Sequence, residues 1–136
     1  MARIIASAEA LNNADSKHVH VAAGNIAHLS GDPLEYGSNT IGPSPGDYLC
    51  MSLASCQALT LRQFAKRKKW KIESINVKVS LVKWDQVATA RNTFFVELIL
   101  SGDLNPAQRK QLMEIARSCP VHRLLGKPSD VVTVIT

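Results

Sequence analysis

The sequence has few cysteines and no long hydrophobic run. Its three cysteines are an odd number without regular spacing, which argues against the disulfide scaffold of a small secreted protein. The first nine residues contain no sustained apolar stretch, so no secretory signal is expected. The most apolar segment, Tyr48 to Leu61, is well short of the ~20 residues of a transmembrane helix. These absences predict a cytoplasmic protein without a membrane partner, in which any disulfide is transient and catalytic.

What is present is an ordinary globular composition with a modest positive charge. At 136 residues and a formal net charge of +5, the chain is long enough for one domain, 1–136, with its own core. Much of the positive charge lies in Lys66-Arg67-Lys68-Lys69, followed by Trp70. Such a run beside an aromatic residue is one form of nucleic-acid surface, but the helix dipole also favours cations at a helix C-terminus. Since no nucleic-acid-binding motif accompanies the run, we expect a solvated helix end and no nucleic-acid partner.

Turn residues and hydrophobic periodicity divide the chain into strands and helices. Three strands are predicted over 3–8, 18–22 and 25–29, with a turn cluster at 12–16 and a loop at 36–43. Two longer alternating strands are predicted over 75–81 and 93–100, with a turn at 86–91 between them, and a last strand over Val131 to Ile135.

Two helices begin with the same local signals. Ser44-Pro45-Gly46-Asp47 and Asn105-Pro106-Ala107-Gln108 each place a capping residue before a proline and a side chain that can reach back to the cap. The first helix, Tyr48 to about Lys69, is apolar nearly all round as far as Leu61. A helix without a polar face is buried on all sides, which predicts a central helix between a sheet and a second subunit.

The second helix is followed closely by a third. Its apolar positions follow the i, i+3, i+4, i+7 stripe and are Leu112, Ile115, Ala116 and Cys119. Pro120 begins a short new helix, which Gly126 and Pro128 end. The predicted order β-β-β-α-β-β-α-α-β is an α+β fold without internal repeats or a linker.

Two of the cysteines stand in settings that suggest paired chemistry. Cys56 lies in an apolar helical run, and Cys119 opens the segment Cys119-Pro120-Val121-His122-Arg123. If the fold brings them together, the chemistry is thiol oxidation and disulfide formation. Each has the alternative of a small buried hydrophobe. The spacing from Cys119 to His122 also fits half of a zinc site, but no second ligand pair is evident and no metal is expected.

The surroundings of these cysteines resemble the signatures of one protein family. The first signature is Gly42-Pro43-Ser44-Pro45 with Asp47, then Ala54-Ser55-Cys56 and Leu59-Thr60-Leu61-Arg62. The second is Ser101-Gly102-Asp103-Leu104, the helix from Gln108 to Ala116, and Cys119-Pro120-Val121-His122-Arg123. In this order and at this distance they resemble the OsmC/Ohr family (osmotically inducible protein C and organic hydroperoxide resistance protein), from about Gly42 to the C-terminus.

The resemblance implies an OsmC-like intertwined homodimer, with an antiparallel-rich sheet wrapped around a central buried helix. It also implies a thiol-dependent peroxidase of the oxidative stress response, which reduces organic hydroperoxides without a metal or bound cofactor. Cys56 would be the peroxidatic thiolate, Cys119 would resolve its sulfenic acid as a disulfide, and an external dithiol would reduce that disulfide. The alternative is a non-enzymatic protein of the same fold that binds a small apolar ligand at the dimer interface.

Two further positions, Asp47 and Cys50, each have two interpretations. Asp47 matches an acidic family position before the peroxidatic cysteine and is a catalytic candidate, yet the helix cap explains it equally. On a continuous helix Asp47 and Cys56 would be ~13.5 Å apart and on opposite faces, so Asp47 could act only across the dimer interface. Cys50 matches no family thiol and is expected in the core, with a back-up or interfering thiol as the alternative.

The cation that would activate Cys56 is the main departure from the family pattern. Well-characterised relatives take an arginine from the N-terminal β region, where this sequence has only Arg3 before Arg62. His122 and Arg123 are the cations nearest to Cys119 in sequence, and a role at a helix end explains them equally.

Overall fold

The secondary structure confirms the α+β class. The computed structural model describes residues 2–11, 19–24, 26–30, 42–83 and 92–136. Its elements are β1 Glu9–Leu11, β2 Val19–Ala23, β3 Ile26–Ser30, α1 Pro45–Lys68, β4 Ile72–Val82, β5 Thr93–Gly102, α2 Pro106–Ala116 and α3 Pro120–Leu125. The predicted turns at 12–16 and 86–91 and most of the predicted loop at 36–43 lie outside the described residues.

Residues Met1–Leu49 form one of two compact units. Its sheet has the order β1-β2-β3 with antiparallel pairing, which places Ala10 opposite Val21 and Ala22 opposite Ala27. The predicted strand over residues 3–8 is wrong, because the described residues before Glu9 form no strand and are exposed. Only residues 9–11 lie opposite β2 and can join its ladder.

Residues Cys50–Thr136 form the second unit. Its buried core joins α1, β4 and α2 through Leu61, Phe64, Ala65, Ile72, Leu112 and Ala116. Successive side chains of the antiparallel β4–β5 hairpin alternate between its two faces. On one face, Ile75, Leu98 and Leu100 pack against this core. Burying each large aliphatic side chain stabilises the fold by about 1.5–3 kcal/mol, so this cluster holds α1 and α2 on the hairpin.

Helix α1 has two faces that both carry large apolar residues but differ in burial. The inner face, defined by Leu53, Gln57, Leu61 and Phe64, is buried. The outer face, defined by Met51, Ser55, Leu59 and Arg62, is exposed. Leu59 retains 64% of its surface, so one chain does not give the all-round burial that the sequence predicts. Covering of the outer face by a second subunit stays a prediction.

The predicted N-terminal caps of α1 and α2 are confirmed. Ser44 Oγ accepts from the Asp47 N–H at 3.2 Å, and Asp47 Oδ2 accepts from the Ser44 N–H at 2.9 Å. Asn105 and Gln108 make the same reciprocal pair at 2.8 and 2.9 Å. These capping boxes satisfy backbone donors that have no partner inside the helix, which sets where each helix begins.

The basic run ends α1, as predicted. Lys66, Arg67 and Lys68 lie in its last turn. Lys69 adopts a left-handed conformation with φ of 59°. The Trp70 N–H donates to the Ala65 carbonyl at 2.9 Å and the Lys69 N–H to the Lys66 carbonyl at 3.2 Å, which is a Schellman motif. Among the described residues no helix, α1 included, is long and apolar enough to cross a membrane.

The predicted last strand, Val131 to Ile135, is wrong. This segment has no regular secondary structure, and its four aliphatic side chains Val131, Val132, Val134 and Ile135 are all exposed. Aliphatic residues favour a strand, but a strand also needs a neighbour with which its backbone can pair. The described part of this chain provides no such neighbour for the segment.

Candidate functional site

Cys56 and Cys119 meet in the second unit, although they are far apart in sequence. Cys56 is half-buried on α1, immediately before the inner-face residue Gln57. Cys119 lies between α2 and α3 and is fully buried, with 0% of its surface exposed. The Cys56 side chain lies close enough to raise the pKa of the Cys119 thiol, and both thiols are free. The fold therefore brings the two predicted redox residues close together, and a disulfide between two cysteines requires such proximity.

Cys119 occupies a position that the sequence pattern did not indicate. It was predicted as the last residue of the α2 stripe, but α2 ends at Ala116 and Cys119 is the N-cap of α3. The reason is Pro120, which has no N–H to continue α2 and fits the first position of a new helix. As a cap, Cys119 Sγ accepts from the His122 N–H at 3.3 Å.

The surroundings of Cys119 keep it in the thiol form. Burial raises the pKa of the Cys119 thiol above its ordinary value of 9.0, because desolvation disfavours the thiolate. The hydrogen bond from the His122 N–H lowers this pKa in part, whereas the hydrogen bond and charge interaction with Cys56 raise it. Cys119 is therefore protonated at neutral pH.

Gln57 is a site residue that the sequence analysis did not single out. It is 2% exposed and is the one polar residue among the fully buried side chains of the described residues. Its Nε2 lies 3.4 Å from His122 Nδ1, which joins α1 to α3 beside the two thiols. The available signal was a glutamine directly after a candidate cysteine, but only the fold shows what it faces.

A cavity of about 560 Å³ borders the segments that carry the two thiols. Its lining consists of Phe94, Val96, Leu98, Leu100, Met113 and Ala116, with the polar residues Gln57, Glu97, Arg109, Arg117 and His122. Mostly apolar walls with a few polar groups are typical of small-molecule sites. The lining includes Gln57, which follows Cys56 in α1, and His122, whose N–H donates to Cys119 Sγ, but neither cysteine itself.

Asp47 lies on the same helix as Cys56 but in a different place. Helix α1 is continuous over Pro45–Lys68, so nine residues separate the two side chains by ~13.5 Å along the axis and place them on opposite faces. The Asp47 carboxylate is occupied by the Ser44 N–H in the capping box. Within one chain, α1 therefore keeps Asp47 away from Cys56.

The arginines near the hairpin are occupied by main-chain carbonyls. Arg62 Nη1 donates to the Ile72 carbonyl at 2.7 Å, and Arg109 Nη1 donates to the Leu100 carbonyl at 3.3 Å. Arg123 is exposed in the last turn of α3, which is the helix-end position expected for a cation.

The remaining sequence candidates are Arg3, Cys50 and a metal site. Arg3 is exposed and precedes β1. Cys50, predicted to lie in the core, is only half-buried. Among the described residues, no group of three His, Cys, Asp or Glu side chains is arranged to hold a metal ion.

Comparison with known proteins identifies the fold. A family model described as OsmC-like protein matches residues 37–134. No curated protein has significant sequence similarity to the chain. The fold is similar to an OsmC-like protein from Mycoplasma pneumoniae, with a TM-score of 0.72 and 17% identity over 89% of this chain and 86% of that chain.

Two further solved structures with this fold are organic hydroperoxide resistance proteins. One is OhrB of Bacillus subtilis, with a TM-score of 0.64 and 21% identity over 89% of this chain and 90% of that chain. The other is OsmC from Legionella pneumophila, with a TM-score of 0.63 and 22% identity over 92% of this chain and 91% of that chain. At these identities the structures establish the fold, and the family model covers most of the sequence. The chain belongs to the OsmC-like family.

Proposed function

We propose that this protein is a thiol-dependent peroxidase that reduces organic hydroperoxides through Cys56 and Cys119. The observation that carries the proposal is the proximity of the two thiols, which belong to distant parts of the sequence. Two relatives with the same fold are named organic hydroperoxide resistance proteins. The family fold and the proximity of the thiols together favour peroxide reduction over other thiol chemistry.

The proposed cycle has three balanced steps. The Cys56 thiolate attacks the terminal oxygen of the hydroperoxide, the O–O bond breaks, and the leaving alkoxide takes a proton to give an alcohol. Cys119 then attacks the sulfur of the Cys56 sulfenic acid, which releases water and forms a disulfide. An external dithiol reduces the disulfide and is itself oxidised. No metal or bound cofactor takes part, and the transient disulfide suits the reducing cytoplasm.

The two cysteines have unequal surroundings that suit unequal roles. Cys56 is half-buried, so a peroxide can reach it, whereas Cys119 is fully buried. The raised pKa of the Cys119 thiol keeps that residue protonated. Cys56 therefore attacks the peroxide, and Cys119 resolves the sulfenic acid.

The cavity lined by Gln57 and His122 supports an organic rather than an inorganic peroxide as the substrate. Six of its lining residues are apolar, and the cavity volume of about 560 Å³ is within the range of small-molecule sites. Burying a hydrocarbon substituent stabilises the complex by about 0.8 kcal/mol per methylene group. Hydrogen peroxide has no such group, so we expect a higher kcat/KM for alkyl and aryl hydroperoxides.

The test uses cumene hydroperoxide as substrate and dithiothreitol as reductant. Wild type should turn over and form a Cys56–Cys119 disulfide when the dithiol is omitted. Cys56→Ser should lose turnover, because it removes the attacking sulfur. Cys119→Ser should consume about one equivalent of peroxide and accumulate a sulfenic acid that dimedone traps. Cys50→Ser is the matched control and should retain turnover.

Mass spectrometry of the oxidised protein decides the result. If wild type shows neither turnover nor a Cys56–Cys119 disulfide, the peroxidase proposal is wrong. Turnover that survives Cys56→Ser would also contradict it, because a different residue would then carry the chemistry.

A homodimer is part of the proposal. The outer face of α1 and the aliphatic residues of 131–135 are exposed in one chain, and a second copy could cover them. Leu59→Glu should therefore shift the sedimentation coefficient from dimer to monomer, with Lys110→Glu on exposed α2 as control. In such a dimer Asp47 would act on the thiol of the partner subunit, so that Asp47→Asn would lower kcat/KM without removing the thiol pair.

The same cavity favours a second function, which is binding of a small apolar ligand without chemistry. One experiment with cumyl alcohol, the product of cumene hydroperoxide reduction, distinguishes the two functions. Saturable binding of the alcohol together with no peroxide turnover would establish the binding function and exclude the peroxidase. Turnover that the alcohol inhibits competitively would establish the reverse.

A further inference from the structure

Gln57 is an unusual residue for the inner face of α1. The residues one turn before and after it on that face, Leu53 and Leu61, are leucines, and Gln57 itself is 2% exposed. Its Oε1 is buried and has no hydrogen-bond partner among the described residues. A buried amide with an unpaired oxygen is less favourable than an aliphatic side chain of similar size. The amide therefore does not stabilise the core, and its contribution lies in the group that its Nε2 contacts.

That group is the imidazole of His122, at 3.4 Å from Nε2 to Nδ1. The main chain of His122 makes a second contact, because its N–H donates to Cys119 Sγ at 3.3 Å. Gln57 is adjacent to Cys56 in the chain. One hydrogen bond between side chains therefore connects the residue that follows one thiol to the residue that holds the other.

Helix α3 has little else to hold it in place. It is six residues long and none of its residues is buried. A helix of this length has no stability of its own, since even good sequences need more than ten residues in water. The position of α3, and of the Cys119 cap at its start, therefore depends on buried Cys119, whose N–H donates to the Ala116 carbonyl at 3.3 Å, on half-buried Val121, and on the contact of His122 with Gln57.

We propose that the Gln57–His122 hydrogen bond positions Cys119 for disulfide formation with Cys56. Gln57 and His122 are positioning residues, because they act on the reaction through the place of the Cys119 sulfur. This proposal rests on the proposed redox pairing of the two cysteines. The physical reason is that a disulfide tolerates a narrow range of Cα separations and dihedral angles, so freedom of α3 lowers the effective concentration of one thiol at the other.

The test measures the disulfide equilibrium in a glutathione buffer and needs no peroxide. The protein dithiol reacts with one oxidised glutathione to give the Cys56–Cys119 disulfide and two reduced glutathiones. All proteins carry Cys50→Ser, and alkylation followed by mass spectrometry gives the oxidised fraction. The variants are Gln57→Leu, which removes the donor, and His122→Ala, which removes the ring. His122→Asn keeps an acceptor near the position of Nδ1, and Gln63→Leu is the control at an exposed glutamine of the same helix.

Gln57→Leu and His122→Ala should each lower the equilibrium constant about tenfold, the effect of one ordinary hydrogen bond. The double variant should fall no further, because both changes remove the same contact. His122→Asn should stay within about threefold of wild type, and Gln63→Leu should be unchanged. Urea unfolding of the reduced Gln57→Leu protein should show undiminished stability, which a merely structural role of Gln57 would not give.

An equilibrium constant that stays at the wild-type value in both Gln57→Leu and His122→Ala would overturn the proposal. So would additive losses in the double variant, since the two residues would then act separately. The peroxidase proposal fails by a different result. A wild type that forms the disulfide with glutathione but never reduces cumene hydroperoxide would exclude the peroxidase and leave the positioning role of Gln57 and His122 intact.

Discussion

The inner and outer faces of α1 differ in burial far more than in composition. Both carry large apolar residues, yet Leu61 is 0% exposed and Leu59 is 64% exposed. The inner face is covered by the β4–β5 hairpin and α2 of its own chain, through Ile72 and Leu112 among others. The comparison teaches that one chain supplies the partners for half of an apolar helix. Packing partners, rather than hydrophobicity, determine which half is buried.

The largest effect should come from shortening one leucine on each face. Leu61→Ala removes a fully buried side chain and should lower the free energy of unfolding by about 3 kcal/mol, since it leaves a cavity. Leu59→Ala should cost under about 1 kcal/mol in a monomer. Urea unfolding at several protein concentrations checks both. The Leu61→Ala loss should not vary with concentration, whereas the Leu59→Ala loss should grow through weaker association if the outer face lies in a dimer.

The hairpin that covers the inner face depends on Gly102. This residue has φ of 140°, and a Cβ there would lie 2.6 Å from the Lys71 carbonyl oxygen. Gly102→Ala should therefore lower the free energy of unfolding by about 2–3 kcal/mol, through backbone strain and displacement of β4. Gly126→Ala is the control, because Gly126 has an ordinary φ of −82°. Equal losses in thermal unfolding of the two variants would show that Gly102 has no special role.

The raised pKa of Cys119 predicts that the free energy of unfolding depends on pH. Burial raises the pKa of Cys119 above 9.0 in the folded protein, so above that pH the unfolded thiol loses its proton while the folded one keeps it. The free energy of unfolding should therefore fall as pH rises past 9, by up to about 1.4 kcal/mol per pH unit from this group. Below pH 9 the contribution should be constant. Urea unfolding of Cys119→Ser should lack this part of the slope, whereas Cys50→Ser should retain it.

The smallest effect should come from the end of α1. Lys69 has a left-handed backbone, which costs a residue with a side chain about 1 kcal/mol relative to glycine. Lys69→Gly should raise the free energy of unfolding by up to that amount. Lys68→Gly, one residue earlier inside the helix, should lower it by about 1 kcal/mol. A loss in both variants would mean that the Schellman motif does not need the left-handed residue.

The features predicted correctly from the sequence are mostly local. The two capping boxes depend on side chains three residues from the helix start, so Ser44 with Asp47 and Asn105 with Gln108 were evident before any fold was known. Strands β4 and β5 were also predicted, because strict alternation over seven or eight residues is typical of a half-buried strand. The left-handed end of α1 was not predicted, because the residue at that position is Lys69 rather than glycine.

The features that were wrong or missed depend on distant neighbours. Val131 to Ile135 has the composition of a strand, but strand formation requires a pairing partner that local pattern does not specify. The resemblance to a family paired Cys56 with Cys119, and no local rule would have done so. Gln57 was missed because nothing within one helical turn distinguishes a buried glutamine from a solvated one.

The sequence by itself determined where the helices begin, which segments alternate, and that two cysteines stand in the signatures of the OsmC-like family. These properties arise from interactions among residues a few positions apart, and the family signatures are a matter of residue identity. Only the tertiary structure decided that the Cys56 and Cys119 thiols are close together, that burial raises the pKa of Cys119, and that Gln57 reaches His122. The reason is that desolvation and side-chain contacts between separate helices exist only once β4, β5 and α2 have packed α1 into place.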